Sequence, residues 1–215
     1  IMFEKETLFG FPVYKVKVDP RSFDKDKIVD DITENYKRSP TRSQFPYNDA
    51  DWHHGFGSRG NDDFITIDFT RLTLIYNTIL GDFFNNTYGS LGRFFYEFNI
   101  ANYTASKTGQ SMRPHSHLPS SFSCVHYLKF NEQEHIPVKF ENPGHYHKYS
   151  DSINPQEQDI MSKDLTTSYM ACEWSPNVEE NDMIIFPAAL EHRVPMQQSD
   201  DLRISIVTNI DITLP

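Results

Sequence analysis

Cysteine is scarce in this chain: 215 residues contain only Cys124 and Cys172, far apart and without any CxxC spacing. A disulfide framework and a cysteine zinc site are therefore excluded, and the pair reads as reduced, buried thiols in a cytoplasmic protein. Long apolar runs are missing as well. No stretch approaches the ~20 residues a membrane-spanning helix needs, and the opening "IMFEKETLFG" lacks the basic segment and apolar core of a signal peptide. Positive charge is short, with 20 Lys and Arg against 30 Asp and Glu and a formal net charge of −10. That balance argues against nucleic acid and anionic membranes as partners, while a local basic pocket for one small anion stays open. Internal repeats, low-complexity tracts, a phosphate loop and a Ser-His-Asp order are also absent.

What the chain does have is aromatic weight, with 17 Phe and 11 Tyr, as expected of a packed globular protein. Its length suits a single domain over 1–215, with no linker that would cut it. "ETLFGFPVYKVKV" (6–18) ends in alternation and reads as a strand. A first helix is expected from a Ser22 or Asp24 cap to Pro40, with Phe23, Ile28, Ile32 and Tyr36 at helical spacing. Residues 40–64 read as a long loop, a segment type often mobile or functional. Asp68 then caps a second helix striped with Leu72, Ile75, Ile79 and Phe83. After about residue 90 the texture becomes short, β-rich segments separated by turn residues, and 144–165 reads as a polar insertion. Successive strands without helical periods between them favour an antiparallel sandwich or barrel. The expected plan is an N-terminal strand and helical support over 1–90 and a β core over 91–215.

Candidate chemistry begins with "RPHSHLPSSFSCVHYLKF" (113–130), where His115 and His117 stand at i and i+2 at the entrance of a strand. On an extended chain such rings point the same way, as metal ligands must. The best distant third donor is His192, just beyond the apolar strand 182–187. Eleven residues later Arg203 sits between Leu202 and Ile204. Strict alternation turns its guanidinium away from both, and if that face is interior the charge must meet an anion. A dicarboxylate cosubstrate would satisfy it, with Ser205 pointing the same way. His145 and His147 form a second HxH in the 144–165 insertion, read as a solvated loop. His53 and His54 could approach the site mouth, and His126 and His135 carry no spacing argument.

The order HxH, strand, distal histidine and RxS makes residues 94–212 resemble the 2-oxoglutarate- and Fe(II)-dependent oxygenases, in particular the prolyl-hydroxylase-like branch and its phage-type members. The resemblance implies a mainly β fold with supporting helices, a double-stranded β-helix of the jelly-roll, cupin-like kind. It implies Fe(II), 2-oxoglutarate and O2 as cofactors. It also implies a hydroxylase that couples decarboxylation of 2-oxoglutarate to succinate with C–H oxidation of a peptidyl substrate, prolyl included, or of a small molecule. His115 falls on the first histidine of the family's HxD motif and His192 on the distal one. Arg203 falls on the arginine that holds the far carboxylate of the cosubstrate, with Ser205 beside it. Tyr127 falls on a tyrosine that also reaches that carboxylate, and Tyr103 on one that lines the cosubstrate pocket. One departure stands out, because the family's usual carboxylate ligand is replaced by His117. Either His117 ligates directly, which imidazole chemistry favours for iron, or it swings away and water takes the vertex. Two other readings remain: a 2-oxoglutarate-independent three-histidine dioxygenase of the cupin kind, and a non-enzymatic jelly-roll binding protein.

Overall fold

The computed structural model describes residues 2–8, 11–38, 52–55, 65–89, 95–143 and 173–213. Its longest ladder joins β4 (Phe95–Ser106) and β11 (Arg203–Thr213), antiparallel from Arg203↔Ser106 to Thr213↔Phe95. The sequence of β11, RISIVTNIDIT, shows why it forms: β-branched residues alternate with polar ones, as a strand facing two environments requires. β6 (Phe122–Lys129) lies on its other side, followed by β9 (Asp182–Pro187), β2 (Phe11–Lys17) and β1 (Glu4–Leu8). β3 (Trp52–Gly55) closes the opposite edge of this seven-stranded sheet. A four-stranded sheet faces it, in the order β5 (Met112–His115), β10 (His192–Val194), β7 (Lys139–Glu141), β8 (Glu173–Trp174). From β4 to β11 the chain passes back and forth between the two sheets, and this is a double-stranded β-helix.

The outer face of the larger sheet is covered by α1 (Lys25–Arg38) and α2 (Thr70–Tyr88). Ile28, Ile32 and Tyr36 of α1 and Leu72, Tyr76, Ile79, Leu80, Phe83 and Phe84 of α2 are buried there with Ile204, Ile206 and Ile210 of β11. The Asp68 carboxylate accepts the Thr70 backbone N–H at 2.9 Å at the start of α2, as its sequence position suggested. A second apolar cluster, with Val125, Tyr127, Phe140, Ile184 and Phe186, fills the space between the two sheets. No helix among the described residues is long and apolar enough to cross a membrane.

Two expectations change. The single strand expected over 6–18 is a hairpin, because β1 and β2 pair antiparallel up to Leu8↔Phe11 and only the alternating half belongs to β2. The long loop expected over 40–64 contains a strand, with β3 pairing to β4 through Trp52↔Ala105 and His54↔Tyr103. Strand β3 has only four residues, too short to display a period that sequence could reveal. The rest of that loop and the 144–165 insertion, with His145, His147 and Cys172, lie outside the described residues.

Candidate active site

A cavity of about 640 Å3 opens between the two sheets. One wall, from the smaller sheet and the segment just after β5, carries His115, His117 and His192; the other, from the larger sheet, carries Asn102, Thr104, Arg203 and Ser205. Valine side chains, among them Val125 and Val138, make up much of the remaining surface.

Strand pairing brings the first two rings together. His115 ends β5 and His192 opens β10, the two are directly paired, and their ring centroids are 4.5 Å apart. The strand in fact stops at His115, so the HxH pair lies at a strand exit and not at the entrance expected from sequence. The next strand, β6, does not begin until Phe122. His117 therefore reaches the cluster from a turn, held by its backbone N–H donating to the Ala188 carbonyl at 2.9 Å. Its ring stacks on His192 at 5.0 Å and 16°, with the two Nε2 atoms 3.2 Å apart. One nitrogen from each of the three rings lies within 4.8 Å of the others.

The tautomers follow from the neighbours. His115 Nδ1 lies 2.9 Å from the Arg113 carbonyl and His192 Nδ1 lies 2.9 Å from the Leu190 carbonyl. A carbonyl only accepts, so each Nδ1 carries the proton and each Nε2 presents its lone pair to the cluster. Burial, reinforced by the neighbouring His115 and His117, holds His192 down to about 3, although its bond to Leu190 opposes the shift. Burial also lowers His115. Neutral imidazoles with oriented lone pairs are the form a metal ion binds, and backbone carbonyls on the far nitrogens are the usual supports. Two donors ~2.1 Å from a common ion at right angles lie about 3.0 Å apart, close to the observed Nε2 separation of 3.2 Å.

On the opposite wall Arg203 is 1% exposed, and Nη1 donates to Ser205 Oγ at 3.3 Å. Ser205 Oγ shares a 2.7 Å hydrogen bond with Thr104 Oγ1 on the neighbouring strand. No carboxylate lines the cavity among the described residues. The three imidazoles suit a metal cation, and the buried guanidinium on the opposite wall suits a carboxylate.

Of the two tyrosines assigned by resemblance, one stands elsewhere and one stands against Arg203. Tyr103 does not line the cavity: it packs on the helical side, 1% exposed, and its hydroxyl accepts a hydrogen bond from Asn35 Nδ2 at 3.0 Å. Alternation explains this, since Asn102 and Thr104 on either side of it point into the cavity. Those two residues were missed, although the polar Asn102, Thr104 and Ser106 against Tyr103 and Ala105 is a period-2 signal the sequence carries. Tyr127 shares the face of β6 that carries Val125, between the two sheets, and packs against Arg203. The Arg203 guanidinium carbon lies 5.3 Å from its ring centroid, and the Tyr127 hydroxyl accepts the Val138 backbone N–H at 3.2 Å. Burial pushes its hydroxyl up to about 12 against the opposing influence of Arg203.

Two further histidines among the described residues, His126 and His135, are structural in character, while the side chains of His53 and His54 lie outside what the structure describes. His126 points to the helices, its Nδ1 2.7 Å from the Tyr76 hydroxyl. His135 Nδ1 accepts the Asn131 backbone N–H at 2.9 Å, and its Nε2 lies 3.2 Å from the Asp201 carbonyl.

With this geometry in hand, comparison with known proteins is decisive. Residues 102–209, half of the chain and the part that builds both cavity walls, match the family described as "Putative 2OG-Fe(II) oxygenase". The chain belongs to the 2OG-Fe(II) oxygenase family. No curated protein matches this oxygenase. Among solved structures, a Pseudomonas putida prolyl-4-hydroxylase is similar with a TM-score of 0.53 at 10% identity, over 93% of this chain and 91% of that one. A Trichoplax adhaerens prolyl hydroxylase, in complex with a hypoxia inducible factor oxygen degradation domain peptide fragment, gives 0.53 at 10% identity over 93% and 83%. The epimerase SnoN from nogalamycin biosynthesis gives 0.50 at 12% identity over 93% and 78%. At such identities these relatives establish the fold alone. Family membership makes the chain an enzyme, which sets aside the non-enzymatic reading. Its cofactors are Fe(II), 2-oxoglutarate and O2. The chemistry of the cavity fits them: imidazole is a good ligand for iron, and a buried arginine is a good partner for a carboxylate.

Proposed function

We propose that this oxygenase is a hydroxylase that holds Fe(II) on His115, His117 and His192 and the far carboxylate of 2-oxoglutarate on Arg203 and Ser205. The observation that carries the assignment is one cavity with three convergent imidazoles on one wall and a buried arginine on the other. Bound there, iron and cosubstrate supply the oxidation: O2 is consumed, 2-oxoglutarate becomes succinate and CO2, and one oxygen atom enters a substrate C–H bond. The chain's own residues orient and shield. Leu190 and Arg113 carbonyls fix two rings by their Nδ1 protons. Tyr127 braces the guanidinium, and Thr104 holds the Ser205 hydroxyl in place. The valine-rich remainder of the cavity keeps water away from the oxidised position.

With His117 where the family has a carboxylate, no lining side chain described brings negative charge, so both anionic groups come from the cosubstrate. Iron retention in this enzyme then depends more on 2-oxoglutarate than in a carboxylate-containing site. A 2-oxoglutarate-independent three-histidine dioxygenase would have no use for Arg203 in the same cavity. The substrate class we take is peptidyl, prolyl included, as in two of the enzymes of like fold, with a small molecule as its alternative.

Anaerobic titration with Fe(II) and 2-oxoglutarate tests the site. A visible charge-transfer band is expected, with slow succinate formation on admitting air; intact protein that gives neither overturns the assignment. His117→Ala should weaken iron binding roughly 10-fold or more, the equivalent of ~1.4 kcal/mol. His117→Asp should retain iron. If iron affinity is unchanged in His117→Ala, water and not His117 occupies that vertex.

A further inference from the structure

β4 and β11 continue well past the cavity, and the face that lines it continues with them. Asn102 and Val207, paired across the two strands, line the cavity. Beyond the register shift at Val207/Thr208 the pairs Asn99↔Asn209, Glu97↔Asp211 and Phe95↔Thr213 carry the same face onward, about 20 Å beyond Val207. Their neighbours Tyr96, Phe98, Ile210 and Ile212 turn the other way and pack against the cluster under the helices. The ribbon also reaches the turn that bears His117. Ser121 N–H donates to the Ile210 carbonyl at 2.9 Å, and Ile212 N–H donates to Ser121 Oγ at 3.1 Å.

The plain explanation, a sheet face turned to water, accounts for the asparagines but not for two other features. Phe95 is 63% exposed at the outer end of the strip and offers an apolar contact there. Glu97 and Asp211 are both exposed and stand directly opposite each other, an arrangement that costs free energy until a cation lies between them.

We propose that this ribbon is the docking strip for an extended, basic polypeptide segment whose target residue enters the cavity, a reading that rests on the hydroxylase assignment above. The strip is continuous with the cavity, and that continuity selects an occupant long enough to reach both. The Asn99 and Asn209 amides offer a donor and an acceptor each, which matches the N–H and C=O of a peptide backbone. Phe95 takes an apolar side chain. Glu97 and Asp211 take a Lys or Arg about four residues from the oxidised one, since Val207 to Asp211 spans about 14 Å and an extended chain advances ~3.4 Å per residue.

The test uses the full chain with and without Fe(II) and 2-oxoglutarate under anaerobic conditions. Two fluorescein-labelled 12-residue probes, one of Lys-Ala-Pro repeats and one of Glu-Ala-Pro repeats, are titrated by fluorescence anisotropy. The basic probe should bind at least 10-fold tighter than the acidic one. The double variant E97K/D211K should abolish that preference, while D26K/D30K, an equal charge change on exposed positions of α1, should keep it. Phe95→Ser should weaken the basic probe while leaving the charge-transfer band intact. Equal affinity for both probes, a preference that survives E97K/D211K, or one lost equally in D26K/D30K would overturn the strip. A band that forms without probe preference refutes the strip alone, and probe preference without a band refutes the cavity assignment alone.

Discussion

Thr104 and Tyr103 are neighbours on β4, as are Tyr127 and His126 on β6, yet each pair divides between two unlike environments. On the helical side the polar groups are few, and Tyr103 bonds to Asn35 while His126 bonds to Tyr76 through Nδ1 alone, its Nε2 having no hydrogen-bond partner among the described residues. On the side facing the smaller sheet, Thr104, Ser205 and Arg203 converge on open volume. A buried polar group whose partner is internal stabilises one fold. Polar groups gathered around a cavity also face a volume that a ligand can fill. The difference sets His126 among the helices and His192 on the open cavity, although both rings are buried and both are held down to about 3.

The comparison can be broken by mutation on either side. The largest effect is expected from Phe83→Ala, which empties the packing of α2 against Tyr14 and Phe84. Urea unfolding should show a loss of about 3–5 kcal/mol, while the remaining folded protein binds 2-oxoglutarate normally. Arg203→Met should do the reverse. Affinity for 2-oxoglutarate, read from the charge-transfer titration, should fall by about 2–4 kcal/mol, the range for removing one partner of a buried charged pair. Unchanged affinity in a folded Arg203→Met protein would move the anchor elsewhere.

His126 sharpens the contrast through pH. Burial, and to a smaller extent Lys25, depress its folded value to about 3. The unfolded chain therefore takes up the proton first as pH falls below ~6.5. Its contribution to stability is complete above the unfolded value and is lost as pH falls toward the folded one. Between pH 7 and pH 5 that single group removes about 2 kcal/mol, so His126→Asn should lose about that much less stability over the same interval than the natural chain. Equal losses in both proteins would show that the ring is not held neutral in the fold. The smallest effect is expected from Tyr103→Phe. Unfolding should cost about 1 kcal/mol for the lost bond to Asn35, with cosubstrate affinity unchanged. A tenfold fall in affinity would return Tyr103 to the pocket.

Much of the site was readable from the chain alone. Two histidines at i, i+2, a third beyond an apolar strand, and an arginine alternating with Leu202 and Ile204 are local patterns that any fold of this class must preserve. The helical stripes of α1 and α2 were equally plain, except that Tyr76 and Leu80 join the buried face where Ile75 is only partly buried. What sequence could not supply was which face of each strand is the inside. A period-2 pattern separates two faces without naming either, and Tyr103 was placed in the pocket for that reason. Only the docking of α1 and α2 on one side of the larger sheet, and of the smaller sheet on the other, settles the matter. His117 depended on tertiary contacts in a second way. Its ring reaches His192 through a turn anchored at Ala188, 71 residues further along, and no local rule sets where such a turn points. Spacing along the chain named the donors; the packing of two sheets brought them to one place.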